Sequence, residues 1–130
     1  MQVDWTPVLA STAAAFVLGG LWYSPLLFLK PWLAASGKDK PDGAHPAKVF
    51  GGAIACAFLG SIAFGLLFAE RCPTPLEGAR IGLFAGAGLV VASFGINYLF
   101  SGRKLGLFLV DGGYNLALWT IVGALHGWLR

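Results

Sequence analysis

The sequence predicts an all-α integral membrane protein, a four-helix bundle with a short interfacial segment after the first helix. Two whole-chain properties point there: 57% of the 130 residues are hydrophobic against 12% charged, and the mean hydropathy is +0.73. The third is distribution, because the apolar residues fall into four long runs separated by clusters of turn formers. A helix needs roughly 20 residues to cross a hydrocarbon core about 30 Å thick. Four crossings therefore use up residues 1–130 as a single transmembrane domain and leave no room for a soluble catalytic domain or a nucleic-acid module.

The first apolar run begins after Asp4-Trp5-Thr6-Pro7 and meets no charge before Lys30. Thr6 before Pro7 suits a helix start, since a proline in the first turn lacks only a donor the helix could not use. The expected span is 7–25. A signal peptide would carry a basic leader and a small-residue cleavage site, whereas this run ends in Trp22-Tyr23-Ser24-Pro25, so it is read as retained. Pro25 ends or kinks the helix, and residues 26–36, with Pro31 and Trp32, are expected to lie along the interface.

Residues 37–46 form the longest polar stretch and the centre of the principal loop, 30–46. The remaining spans are expected at 47–69, 76–100 and 105–129, joined by Arg71-Cys72-Pro73-Thr74-Pro75 and by Ser101-Gly102-Arg103-Lys104. Glu77 and Arg80, three apart at the start of the third span, read as a local ion pair. Sixteen residues of helix would hold Cys56 and Cys72 roughly 24 Å apart, too far for a disulfide, so two free thiols are expected.

Four crossings put the first and third loops on one side and the second loop with both termini on the other. Lys30, Lys38, Lys40, Lys48, Arg103 and Lys104 on the first side outnumber Arg71, Arg80 and Arg130 on the second. By the positive-inside rule the first side is cytoplasmic. The expected location is the bacterial inner (plasma) membrane, multi-pass, with both termini periplasmic. Trp5 and Trp128 fit an outer aromatic belt, and Trp22, Tyr23, Trp32 and Tyr98 an inner one.

Helices in lipid gain no hydrophobic drive from each other, so close packing needs small residues. Ala53, Ala57, Ser61 and Gly65 recur every four residues in the second span, beside Gly52, Cys56 and Gly60. Gly78, Gly82 and Gly86 form a glycine zipper in the third, continued with a change of face by Gly88, Ala92 and Gly95. Gly123 and Gly127 add a pair in the fourth. These rows either pack the four helices of one chain together or, most readily at Gly78 to Gly86, join copies into a homo-oligomer, with a dimer favoured.

Asp111 is the acidic residue well inside an apolar run, and an ionisable group at membrane depth is a functional hypothesis by default. Span ends bring Tyr23, Ser24, Asn97, Tyr98, Tyr114 and Asn115 to the same depth. The layer reads as a hydrogen-bonded clasp that satisfies Asp111 and the carbonyls freed near Pro25, or as a polar pocket for an ion, proton or lipid headgroup. His126, one turn from the outer end, reads as an interfacial hydrogen bonder. No metal-ligand spacing, phosphate loop or nucleophile triad is present, so no enzyme activity, catalytic residue or cofactor is expected.

The string Trp22-Tyr23-Ser24-Pro25-Leu26-Leu27-Phe28-Leu29-Lys30-Pro31-Trp32 resembles the bacterial membrane-protein family catalogued as domain of unknown function 1761. The similarity extends through Asn97-Tyr98-Leu99-Phe100, Gly102-Arg103 and Asp111-Gly112-Gly113-Tyr114-Asn115, so it covers essentially the whole chain. It implies four spans and a membrane location, and it implies no activity. Members of that family vary between Asn and Asp at the position of Asp111 and often carry glycine at that of Leu29, so the resemblance implies that a charge at 111 is not required.

Within the chain, Gly20-Leu21-Trp22-Tyr23 ends the first span and Gly95-Ile96-Asn97-Tyr98 the third, which suggests two related hairpins. In such a repeat the two tyrosines would surround a pseudo-axis, a common place for a transporter site. The leading functional expectation is a non-enzymatic membrane protein that acts by helix–helix association, as a homo-oligomer or as an accessory subunit of a membrane complex. Its partners would be membrane lipids and membrane proteins, with no nucleic acid. The alternative is a small channel or transporter whose polar site lies around Asp111.

Overall fold

A computed structural model describes residues 2–38, 45–69, 71 and 73–130. The centre of the expected first loop (39–44) and Cys72 lie outside the described residues. Among the described residues four helices are long and apolar enough to cross a membrane: α1 (Trp5–Trp22), α3 (Pro46–Leu67), α4 (Pro75–Phe100) and α5 (Leu105–Trp128). A short helix, α2 (Leu29–Ser36), follows the first of them. The architecture is the all-α membrane bundle that composition and periodicity predict.

The start of α1 differs from expectation. Asp4, not Thr6, is the cap, its carboxylate accepting from the Thr6 amide at 3.2 Å. The helix stops at Trp22 because Pro25 cannot donate to it. The freed carbonyls are taken up locally: Ser24 Oγ donates to Leu21 O at 2.6 Å and the Phe28 amide to Trp22 O at 3.0 Å. Gly37, at φ +72°, ends α2 in the left-handed region that glycine enters at little cost.

Glu77 forms a capping box with Thr74, and Arg80 acts on its carboxylate only as a weaker electrostatic neighbour. Glu77 accepts from the Thr74 amide at 2.8 Å and the Thr74 hydroxyl at 3.0 Å, and its own amide donates back to Thr74 Oγ1. A carboxylate three residues into a helix gains more from orphan amides than from an exposed arginine that water or headgroups already solvate.

Helix α5 is the hub, with α4 on one flank and α1 on the other. Gly78, Gly82 and Gly86 are buried against it. A Cβ at Gly78 would run into the Gly123 carbonyl and one at Gly82 into the Trp119 carbonyl; at Gly86 it would stand 3.1 Å from Trp119 Cβ. Gly127 meets the Thr74 backbone in the same way. This row therefore joins two helices of one chain, and it is not the open face that a homo-oligomer through Gly78 to Gly86 would need.

Helix α3 packs on α1, and it reaches α5 only near its C-terminal end. There Ser61, Phe64 and Gly65 are buried, whereas every residue from 46 to 56 is exposed, Ala53 included, and Ala57 is half-buried. The two ends of the molecule thus differ. At the end holding the termini, α1, α3 and α5 close on one another. At the end holding the first and third loops, α3 leans away.

Midway along α4, residues Gly86–Val91 form a wider, π-helical turn. Three regular turns after Gly86 are about 10.8 residues and would bring Asn97 round to face α5. The extra residue of a π-turn brings Tyr98 there instead and leaves Asn97 exposed.

Candidate functional site

Three helices meet at Asp111, near the loop end. Tyr23, just past α1, donates its hydroxyl to Oδ1 at 2.6 Å, and Tyr98, on the last turns of α4, donates to Oδ2 at 2.5 Å. Each carboxylate oxygen is held by one tyrosine. The two donors close the two matching strings at the ends of the first and third spans, so the pair that suggests a repeat converges on one side chain. The aromatic rings reach this depth because Pro25 stops α1 beside Tyr23 and the π-turn rotates Tyr98 inward.

The remaining residues of the expected layer divide. Tyr114 stacks obliquely on Tyr23, 5.5 Å between ring centres, but its hydroxyl donates to Ala15 O at 3.2 Å and so ties α5 to α1. Asn115 donates to the backbone carbonyl of Asp111 at 2.9 Å, not to the carboxylate. Ser24 is occupied by Leu21 O. Asn97 is turned out by the π-turn and does not join the layer. The clasp is built from tyrosines, and the expected share of the asparagines is absent.

Trp22, expected as an interfacial anchor, also helps hold the helices together. It is half-buried, its indole N–H donates to Val110 O at 3.0 Å, and its ring packs on Phe28 at 4.5 Å. Trp32 stands edge-on to Tyr23, 6.3 Å away, and so props the clasp from α2. Trp5 and Trp128 are exposed at the opposite end. Cys56 is an exposed free thiol.

A second polar group, at the terminal end, has no counterpart in the sequence reading. His126 is fully buried rather than interfacial. Its Nε2 lies 3.3 Å from Ser61 Oγ, which also donates to Val8 O at 3.3 Å. Ser11 is buried on the same helix as Val8, and among the described residues Ser11 Oγ and His126 Nδ1 have no hydrogen-bond partner. The signal was the spacing of small residues: Gly65 leaves room for the imidazole, since a Cβ there would lie 2.9 Å from His126 Cε1. Phe68 stacks on the ring, and Arg130 donates to the carbonyls of Phe68 and Arg71, closing that end.

Between α1 and α3, where α3 leans away, an apolar groove of about 480 Å³ runs along Phe16, Gly19, Gly20 and Tyr23 on one side and Val49, Phe50, Ala53 and Ile54 on the other. Tyr23 belongs both to this wall and to the clasp.

Among known proteins, a family model described as a protein of unknown function (DUF1761) matches residues 6–127. No curated protein and no solved structure matches the chain. The match covers nearly all of the sequence, and the chain belongs to that family.

Proposed function

We propose that this family member is a non-enzymatic protein of the bacterial inner membrane that works by helix–helix association, as a homodimer or as an accessory subunit of a larger membrane complex. The supporting observation is the loop-end half of α3. Residues 46–56 are exposed throughout, and a Cβ at Gly51 or Gly52 would touch nothing in the chain. No other span carries so long an unbroken run of exposed residues, which marks this half-helix as a surface for a partner. Gly52, Ala55 and Cys56, on the side away from the groove, let another backbone approach closely, which is how helices associate in lipid. The excess of Lys and Arg at the loop end supports a cytoplasmic loop end and periplasmic termini.

Native mass spectrometry of protein extracted in mild detergent tests this. The expected spectrum holds a discrete dimer or one defined heteromeric mass, lost in Gly52→Ile while the monomer stays folded. A monomer alone would overturn it.

The second reading, a small channel or transporter, draws support from the half-buried Asp111 between two hydroxyls. It requires flux in liposomes that Asp111→Ala abolishes without change in fold or mass. Against it stands the clasp itself, in which both carboxylate oxygens are already engaged within the chain.

A further inference from the structure

We propose that the cleft between the second loop and the start of α4 binds an anionic phospholipid of the leaflet at the terminal end, its phosphate between Arg71 and Arg80 and an acyl chain against Ile81 and Phe84. This goes beyond association, which is proposed on α3 at the opposite end of the bundle.

Charge in the lining selects an anion. The cleft, about 450 Å³, is lined by Arg71, Pro73, Glu77, Arg80, Ile81 and Phe84. Both arginines are exposed, and among the described residues neither guanidinium has an ion pair or a hydrogen bond. Glu77, the carboxylate of the lining, is turned to the Thr74 amide and hydroxyl at 2.8 and 3.0 Å. The cleft therefore carries two cations against one carboxylate that is already engaged, an excess that an anion from outside would offset. The planar guanidinium fork matches phosphate oxygens two at a time. The backbone that presents Arg71 is fixed, because Arg130 donates to the Arg71 carbonyl at 3.0 Å and to that of Phe68. The anion would be held by side chains, since Thr74 and Glu77 already take each other's amides at the helix start.

Depth selects a lipid over a soluble anion. Helix α4 is apolar enough to span from Pro75 to Phe100. At 1.5 Å per residue, Arg80 lies roughly 8 Å along it and Phe84 roughly 14 Å. Arg80 and Phe84, four residues apart, share one face of the helix, and an arginine at this depth extends its head towards the headgroups. The rim of the cleft is thus basic at headgroup level, and its floor is apolar at hydrocarbon level, with Ile81 half-buried and Phe84 74% exposed. A soluble phosphate would meet the arginines and leave Phe84 unused, whereas a phospholipid meets both. Basic residues beside a span favour anionic lipid, and phosphatidylcholine, which carries its own ammonium, gains less from them.

The test is a native mass spectrometry titration of the delipidated full-length protein in mild detergent against three probes: phosphatidylglycerol, phosphatidylcholine with the same acyl chains, and water-soluble glycerophosphoglycerol. The first phosphatidylglycerol is expected to bind about tenfold more tightly than phosphatidylcholine, and the soluble headgroup far more weakly than the intact lipid. Arg71→Gln and Arg80→Gln should each lower phosphatidylglycerol affinity about fivefold, and the double variant should bind the two lipids alike. Phe84→Ala should weaken both lipids severalfold. Arg103→Gln, an exposed basic position in the third loop, should leave the first binding step unchanged. All four side chains are exposed, so the variants should unfold at the temperature of the wild type. Any oligomeric or heteromeric mass in the same spectra should persist in the Arg71→Gln, Arg80→Gln double variant, which separates this site from association at α3. Equal affinity for the two lipids in the wild type, or a preference that survives the double variant, would overturn the site. Headgroup binding as tight as that of the lipid, with Phe84→Ala without effect, would show a soluble-anion site and overturn the lipid. A heteromeric mass lost in the double variant would show an acidic protein segment in the cleft and overturn it equally.

Discussion

The two ends of the bundle solve the same problem by different means. At the terminal end helices touch, and the contacts are made by small residues and buried rings: Gly78 on Gly123, Gly65 under His126, Phe64 and Phe68 stacked around them. At the loop end α3 leans away, and long side chains reach across the larger gaps. Tyr23 and Tyr98 grip Asp111, Tyr114 reaches Ala15 O, and Trp22 reaches Val110 O. Lipid gives little reward for burial as such, so the closed end depends on close packing and the open end on a few hydrogen bonds. Stability should concentrate at the first and adaptability at the second.

Six substitutions at five positions would break or sharpen this contrast, each read by a denaturant or thermal unfolding titration in detergent. Gly82→Val should have the largest effect, about 3 kcal/mol or more, because its Cβ would drive into the Trp119 carbonyl and nothing nearby is a flexible tip. Phe68→Ala, at 1% exposure, should cost about 2 kcal/mol, less than the 3–5 typical in water because hydrocarbon also solvates the unfolded ring. Phe50→Ala, 54% exposed at the open end, should cost almost nothing; equal losses at the two phenylalanines would erase the distinction between the ends. Asp111→Leu removes two hydrogen bonds of about 0.6 kcal/mol each and should cost about 1 kcal/mol, whereas Asp111→Asn, which keeps an acceptor and adds a donor, should cost less. Tyr98→Phe removes one such bond and should cost about 0.6 kcal/mol.

The fold was legible because hydropathy over a window of spanning length depends on few details. Lipid forces every backbone group into a helix, and Pro25, the Pro73–Pro75 cluster and Gly102 mark where helices must end. The depth of Asp111, Tyr23 and Tyr98 followed from the same spacing. Rotation about the helix axis did not follow. The π-turn at Gly86–Val91 exchanges Asn97 for Tyr98 at the clasp, and nothing in a run of Gly, Ala, Leu and Val announces it. Likewise, the row Gly78, Gly82, Gly86 signals close approach but not of what, and only the facing Gly123 and Gly127 assign it to the same chain. His126 was misplaced because depth along a helix says nothing about which side faces the interior.

The claim that joins these parts is that the exposed half of α3 is an association surface, and native Cys56 on that surface can report on it. Thiol cross-linking in intact membranes of a Cys72→Ser protein would use Cys56 as the reactive group, with Gly88→Cys in a Cys56→Ser, Cys72→Ser background as the control on α4. The expected result is one discrete cross-linked species from Cys56, of twice the chain's mass or of one defined larger mass, lost in Gly52→Ile and absent from the control. No product from Cys56, or the same smear of products from both positions, would contradict it.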